Sequence, residues 1–192
     1  MGGVFYEQRD QRKQKRRGPM NKPLNLGGNA TLARLARLQP SLPADVPSRW
    51  PGFRFLRIFH HAPVVTCDDA ARARGVLLGN ELKTIVLSTP DGLVGVHLPG
   101  DRRLHSRNVK AALGTRRLRF ADADELGANG LAPGLVNPHS AGFVRRHLIC
   151  ASLMGKAFVT TNAGVFTHGV AFAPLDLTSL TPKLIGDFSH DN

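Results

Sequence analysis

The fold class predicted by this sequence is α+β, on three observations. Short strand-like apolar runs alternate with short helical segments, but no β-α unit recurs as a doubly wound sheet requires. One β-hairpin is written plainly, as two β-branched apolar runs on either side of Pro90-Asp91-Gly92. Finally, 192 residues that are 42% hydrophobic can bury one core and still leave a polar tail.

Residues 1–29 read as a disordered basic tail. A charge run leads into Gly18-Pro19, Lys22-Pro23 and Gly27-Gly28, and Met20 is a second candidate start position. Residues 30–52 read as a helix and a Pro-rich connector. In Ala30–Gln39, Leu32, Leu35, Ala36 and Leu38 fall largely on one helical face, and Pro40, Pro43, Pro47 and Pro51 then hold the chain extended. Residues 53–192 form the main domain. Phe53–Phe59 alternates apolar and basic residues as a half-buried strand does. Thr66 or Asp68 caps a helix running to Arg74, with Asp68 and Asp69 favourable in its first turn and Gly75 ending it.

The hairpin follows, with strands Leu82–Leu87 and Leu93–Leu98. A helix spans Ser106–Leu113 and stops at Gly114; a short strand at Arg117–Phe120 and a helix at Asp122–Leu126 come next. Gly127 to Pro138 is a Gly/Pro/Asn loop. Strands are expected at Arg146–Cys150, Ala157–Thr161 and Gly169–Phe172. A short helix is expected over 174–181, and a last strand at Leu184–Phe188.

Net charge is +12, with a sequence pI near 11.0. Charge of this size favours a polyanionic partner. The tail up to Lys22 holds seven Lys/Arg against two acidic residues, so most of the excess belongs to the rest of the chain. No apolar run approaches the roughly 20 residues that cross a bilayer. The N-terminus lacks the apolar centre of a secretory signal, and Glu7 and Asp10 argue against a mitochondrial presequence, so the cytoplasm is the expected compartment. Cys67 and Cys150 stand far apart and outside any CxxC spacing, as two reduced thiols would. The eight histidines add no metal spacing, so neither a metal nor a cofactor is expected.

Three stretches, in order, resemble the YbaK/ProX family of aminoacyl-tRNA deacylases, which shares its fold with the editing domain inserted in bacterial prolyl-tRNA synthetases. Glu81-Leu82-Lys83-Thr84-Ile85-Val86-Leu87 resembles the family's Lys-Thr strand. Leu98-Pro99-Gly100-Asp101-Arg102-Arg103-Leu104 is similar to its Pro-Gly-Asp-Arg-Arg turn. Gly130 to Pro138 looks like its Gly-x-x-Pro-Gly-x-x-x-Pro loop. Asn162-Ala163-Gly164, with His168, is a weaker fourth piece. The likeness spans roughly residues 54 to 188. It implies a mixed, mainly antiparallel, barrel-like sheet flanked by helices, and a trans-editing hydrolase that cleaves the ester of mischarged aminoacyl-tRNA. The partner would be the aminoacylated 3′ end of tRNA, and no membrane is involved.

The residues fit that chemistry. An aminoacyl ester is already activated, so its hydrolysis needs a placed water and charge stabilisation more than a strong nucleophile. No GxSxG elbow or Cys-His pairing is present. Lys83 lies inside an apolar strand, where an ammonium is costly unless it reaches water or an anion. A solvent-facing lysine is the plain reading of that pattern, whereas the resemblance implies a contact with the terminal phosphate or ribose. Gly134 permits close backbone approach and Pro138 stiffens the loop exit. Leu135 and Asn137 stand where the family commonly has small residues, so the identity of the cargo does not carry over. Leu135 and Val136 are the expected pocket side chains, and Asn137 offers an amide. His168 matches a histidine that borders the amino-acid pocket in the synthetase-inserted members.

Arg102, Arg103, Arg107, Lys110, Arg116, Arg117 and Arg119 occupy one stretch without an acidic residue, which suits phosphate contacts or an ordinary solvated face. A non-catalytic tRNA-binding module and an aminoacyl-tRNA-dependent transferase remain open alternatives, as does the oligomeric state. Deleting residues 1–19 is expected to weaken tRNA binding at low salt and flatten its salt dependence, with turnover at saturation nearly intact. Titrations across a salt series, with single-turnover rates, check this.

Overall fold

A computed structural model describes residues 50–191 of the chain. The tail at 1–29, the helix expected at Ala30–Gln39 and the connector up to Pro47 lie outside the described residues. The architecture is mixed α+β, with five antiparallel strand pairings and two parallel ones among those residues.

Trp50 is buried, in edge contact with Phe53 and Phe55 and stacked on His139 at 5.4 Å. The chain then enters strand β1 (Phe55–His60), which starts two residues later than the alternation predicts. Helix α1 (Cys67–Arg74) begins where expected. The Thr66 hydroxyl accepts from the Asp69 N–H at 3.1 Å, and Gly75 closes the helix at φ 66°. Strands β2 (Leu82–Thr89) and β3 (Gly92–Pro99) form the predicted hairpin, and the Thr89 hydroxyl ties the Pro90-Asp91 turn by donating to Gly92 O.

Strand β4 (Arg102–Leu104) has no counterpart in the sequence reading, since Arg-Arg-Leu is too short to show apolar alternation. Helix α2 (Ser106–Leu113) and its Gly114 stop match the prediction. Strand β5 (Arg119–Phe120) is shorter than expected. Helix α3 (Ala123–Gly127) is set by a reciprocal capping box between Asp122 and Glu125. Strand β6 (Arg146–Cys150) then runs parallel to β3, followed by the one-turn helix α4 (Ala151–Met154). Strands β7 (Val159–Asn162) and β8 (His168–Phe172) make a second antiparallel hairpin.

The segment expected as helix at 174–181 is a 3-10 turn at Pro174–Ser179. The single strand expected at Leu184–Phe188 is two strands in different sheets, β9 (Lys183–Gly186) beside β6 and β10 (Ser189–Asp191) beside β4. The break falls at Gly186, where a Cβ would meet the Phe188 ring at 2.9 Å, so the bare glycine lets that ring fold back into the core.

Sheet order is β5-β2-β3-β6-β9, with β1-β8-β7 and β10-β4 beside it. A single parallel bridge, Glu81 to Thr160, joins β2 to β7. The main core lies among these sheets and includes Leu82, Leu98, Leu148, Ile149, Val170 and Phe172. A smaller cluster of Val86, Leu126, Val136, Ala141 and Val144 packs under the 127–138 loop.

Two buried histidines extend from the hairpin to the next strand, His97 on β3 and His147 on β6. The Thr84 hydroxyl lies 3.0 Å from His97 Nδ1, and His97 Nε2 lies 3.0 Å from His147 Nδ1. Burial lowers the His97 pKa to about 3, with the neighbouring His147 adding to the effect, and burial lowers His147 to about 4. Both imidazoles are therefore neutral in the fold. Because their folded values lie below the ordinary 6.5, the unfolded chain binds more protons between pH 6.5 and about 3. Stability should fall over that window as pH drops, on the order of 1 kcal/mol per pH unit for each histidine. Denaturant titrations at pH 7, 6, 5 and 4.5 check this, and His97→Asn should show a shallower slope.

Candidate functional site

A cavity of about 110 Å³ opens where β2 and β7 part company. Its walls are the first turn of α1 (Thr66, Cys67, Ala70), the start of β2 (Glu81 to Thr84), the loop residues Gly134 and Val136, and the β7–β8 connection at Asn162, Val165 and Phe166.

The floor is an ion pair. Arg74, at the end of α1, is buried and hydrogen-bonded to the buried Glu81 carboxylate. The Thr160 hydroxyl donates to the other carboxylate oxygen at 2.5 Å, and Arg74 Nε donates to His61 Nε2 at 3.3 Å. Burial pushes the Glu81 carboxyl above its ordinary pKa, while the Arg74 charge and the two hydrogen bonds oppose the rise. A Cβ on Gly169 would collide with the guanidinium, so the glycine there makes room for Arg74. His61 is held below its usual value, mainly by burial.

The loop wall is fixed by two asparagines. Asn162 Nδ2 donates to Val136 O at 3.1 Å and Gly134 O at 3.4 Å, while its Oδ1 accepts from the Gly164 N–H at 3.0 Å. Asn137 Oδ1 accepts from the Ser140 N–H at 2.8 Å, and its Nδ2 donates to Asn162 Oδ1 at 3.3 Å. Gly134 takes φ 84°, where a side chain is strained.

Of the residues singled out from sequence, Lys83, Gly134 and Val136 line this cavity. Lys83 is half-buried and donates from Nζ to Gly100 O at 3.2 Å. Asn137 and Pro138 are buried behind the loop wall, and Asn137 commits its amide to the loop's own bonds. Leu135 is half-buried and not part of the cavity lining; its neighbour Val136 faces inward instead. His168 is buried at the start of β8, 4.7 Å from the His60 ring, with Nδ1 3.0 Å from the Thr167 hydroxyl, and it does not line the cavity.

The basic residues lie elsewhere. Arg102 on β4 pairs with Asp191 at 3.0 Å, Arg103 is exposed on the same strand, and Arg107 and Lys110 are on α2. Arg116, Arg117 and Arg119 border a separate cleft beside Ser88 and Pro90, and Arg119 is engaged with Glu125 at 2.7 Å. Arg74, Glu81, Thr66 and Phe166 also line the cavity, although in the sequence Thr66 and Arg74 read only as the ends of a helix and Glu81 only as the start of the Lys-Thr strand. No local pattern marks a buried arginine at a helix end. Asn162 was already visible in the Asn-Ala-Gly stretch.

A family model described as the aminoacyl-tRNA editing domain matches residues 61–180. The proline–tRNA ligase of Thermosipho africanus (strain TCF52B) is 35% identical over 83 residues, which is 43% of this chain and 15% of the ligase, so the chain spans a small part of that enzyme's length. Among solved structures, the hypothetical protein APE2540 superposes with a TM-score of 0.64 at 26% identity, over 70% of this chain and 91% of that one. A protein provisionally assigned as a trans-editing enzyme for prolyl-tRNA synthetase superposes with a TM-score of 0.62 over 70% of this chain and 86% of its own. At 22% identity the latter likeness is one of fold.

Removing one partner of a buried ion pair leaves the other uncompensated. Arg74→Met is expected to cost about 3 kcal/mol or more of stability, and Arg74→Met/Glu81→Gln to recover a substantial part of it. Urea titration of the two variants against the parent chain checks this.

Proposed function

We propose, since the chain belongs to the aminoacyl-tRNA editing domain family, that it hydrolyses the ester of a mischarged aminoacyl-tRNA and acts in trans on tRNA charged by another enzyme. Water adds through oxygen to the aminoacyl carbonyl, the bond from carbonyl carbon to ribose oxygen breaks, and the ribose oxygen takes up a proton. The products are a free amino acid and an intact tRNA.

One observation carries the reading. Lys83 sits on the cavity wall, and among the described residues its ammonium is hydrogen-bonded to a main-chain carbonyl and makes no ion pair. A cation left this way in a small, half-enclosed site suits an anion, and the terminal phosphate of tRNA is that anion in the proposed substrate. Gly134 lets the opposite wall approach closely, and Asn162, Asn137 and Pro138 hold that wall in place. The rigid wall places the ester and the attacking water, and the ribose's own neighbouring hydroxyl takes part in orienting them.

Val136 faces the cargo side chain, and the cavity of about 110 Å³ suits a small uncharged amino acid. His168 and Leu135 support the site from outside the cavity lining. Arg102, Arg103, Arg107 and Lys110 lie on β4 and α2, where they would meet phosphates farther along the tRNA.

A panel of charged tRNAs, assayed with and without amine acceptors, tests the reaction class. Release of free amino acid without transfer is expected; transfer to the amine, or binding alone, would replace this reading. Lys83→Ala is expected to lower hydrolysis by roughly tenfold or more, from the loss of about 1.5–3 kcal/mol of a charge-assisted contact, with little change in Tm. Unchanged turnover in that variant would remove Lys83 from the site.

A further inference from the structure

Strand β2 has one rung with no strand beside it. In the β2–β3 ladder the odd-numbered residues face β3, as Gly100 N donating to Glu81 O shows, and the even-numbered residues turn their N–H and C=O the other way. On that outer side β7 touches β2 only through the Glu81–Thr160 bridge. The outer side is taken up again farther along, where Ala121 N donates to Val86 O and β5 pairs with Leu87 and Ser88. Thr84 lies between. By the alternation of the ladder its N–H and C=O turn to the outer side, where among the described residues no ladder or bridge residue is paired with it.

That gap is the cavity, for Leu82, Lys83 and Thr84 form its wall. The Thr84 side chain is held by His97, which His147 supports in turn, so the residue presents its backbone on a fixed strand. Thr84 is half-buried, and a peptide donor and acceptor withdrawn from bulk water are stabilised by a partner that meets both.

We infer that the main chain of Thr84 is the docking rung for the aminoacyl group, its N–H donating to the ester carbonyl oxygen and its C=O accepting from the α-ammonium. An aminoacyl ester carries a nitrogen donor and a carbonyl acceptor on one Cα, as one residue of a β-strand does. It therefore fits a rung that exchanges two hydrogen bonds with a single residue. Two consequences distinguish this from a mere hydrophobic pocket. The free α-amine becomes part of the recognition, independently of the cargo side chain. The Thr84 N–H also lies on the oxygen that gains negative charge when water adds, so it serves in the transition state.

This inference rests on the hydrolase reading, and the experiment separates the two. The same purified tRNA is esterified with alanine or with propanoic acid, which is alanine without its amine. Each enzymatic rate is divided by that ester's own uncatalysed rate in buffer. The parent chain should hydrolyse the alanyl ester and show at least a tenfold lower normalised kcat/KM for the propanoyl ester. Equal normalised values would overturn the carbonyl contact while leaving the hydrolase reading intact. Failure on every aminoacyl ester would overturn both.

Thr84→Pro removes the outward N–H and leaves the β3 ladder bonded, because proline is tolerated where a strand's N–H faces outward. Thr84→Val, which loses the hydroxyl and keeps the N–H, is its reference. With both folded by circular dichroism, kcat of the proline variant should fall at least tenfold below that of the valine variant, with a smaller change in KM. Equal kcat values would overturn the N–H contact. Where Thr84→Pro does not fold, the ester comparison on the parent chain decides alone.

Discussion

A guanidinium and a carboxylate taken out of water together are tolerable only when each finds the other and its remaining hydrogen-bonding capacity is used. The Arg74–Glu81 pair meets that condition by recruiting four separate elements. Arg74 comes from the end of α1 and Glu81 from the approach to β2. Thr160 reaches in from β7, and Gly169 of β8 gives up its side chain so that the guanidinium can lie against the backbone. This polar knot is the point where the β1-β8-β7 sheet is fastened to the main sheet, and the Glu81–Thr160 bridge is its backbone counterpart. One residue beyond it the two strands separate. The cavity and its open rung exist because the fastening is so local.

Fixing the rest of the cavity follows from that separation. A gap between strands would collapse or fill with side chains unless something spanned it, and the Gly134–Pro138 loop does so. Asn162 on β7 is hydrogen-bonded to two carbonyls of that loop, so β7 holds the loop at the distance at which it has itself left β2. Val136 anchors the same loop apolarly against Val86 on β2 and Val144 ahead of β6. The wall is thus pinned from both sides.

The local signals in the sequence were strong enough to read most of the elements. Thr66 and Gly75 delimit α1, Pro90-Asp91-Gly92 makes the hairpin, and Gly114 stops α2, because each acts through its own backbone geometry or nearest neighbours. Strand β4 and the division of the last strand at Gly186 were not legible. The first is defined by its partner β10 across the structure and the second by a ring three-dimensionally adjacent to a glycine. The same division holds within the site. Lys83 and Gly134 are conspicuous as a charge in an apolar run and a glycine in a Pro-rich loop. Arg74 and the unpaired Thr84 rung depend on which strands meet and where they part, which no window of sequence contains. Leu135 illustrates the converse: adjacent to Val136 in the loop, it is turned out of the cavity by a one-residue change of phase that composition cannot give.

The electrostatics of the cavity follow from what has already been neutralised. Arg74 and Glu81 cancel each other, and His97 and His147 are kept uncharged by burial, His97 next to the Thr84 rung. Cys67, on the α1 wall, has its thiol pushed up by burial, with the Glu81 charge acting in the same direction, which favours the neutral form. Lys83 is then the one cation on the wall without a countercharge among the described residues. A lone positive charge set into a partly desolvated recess is screened less by salt than exposed arginines such as Arg103 or Arg107. The protein's basic surface and this recess would accordingly respond differently to ionic strength. Under the proposed function, the surface and tail would set how tightly the polyanion is gathered, and the recess where its charged end comes to rest.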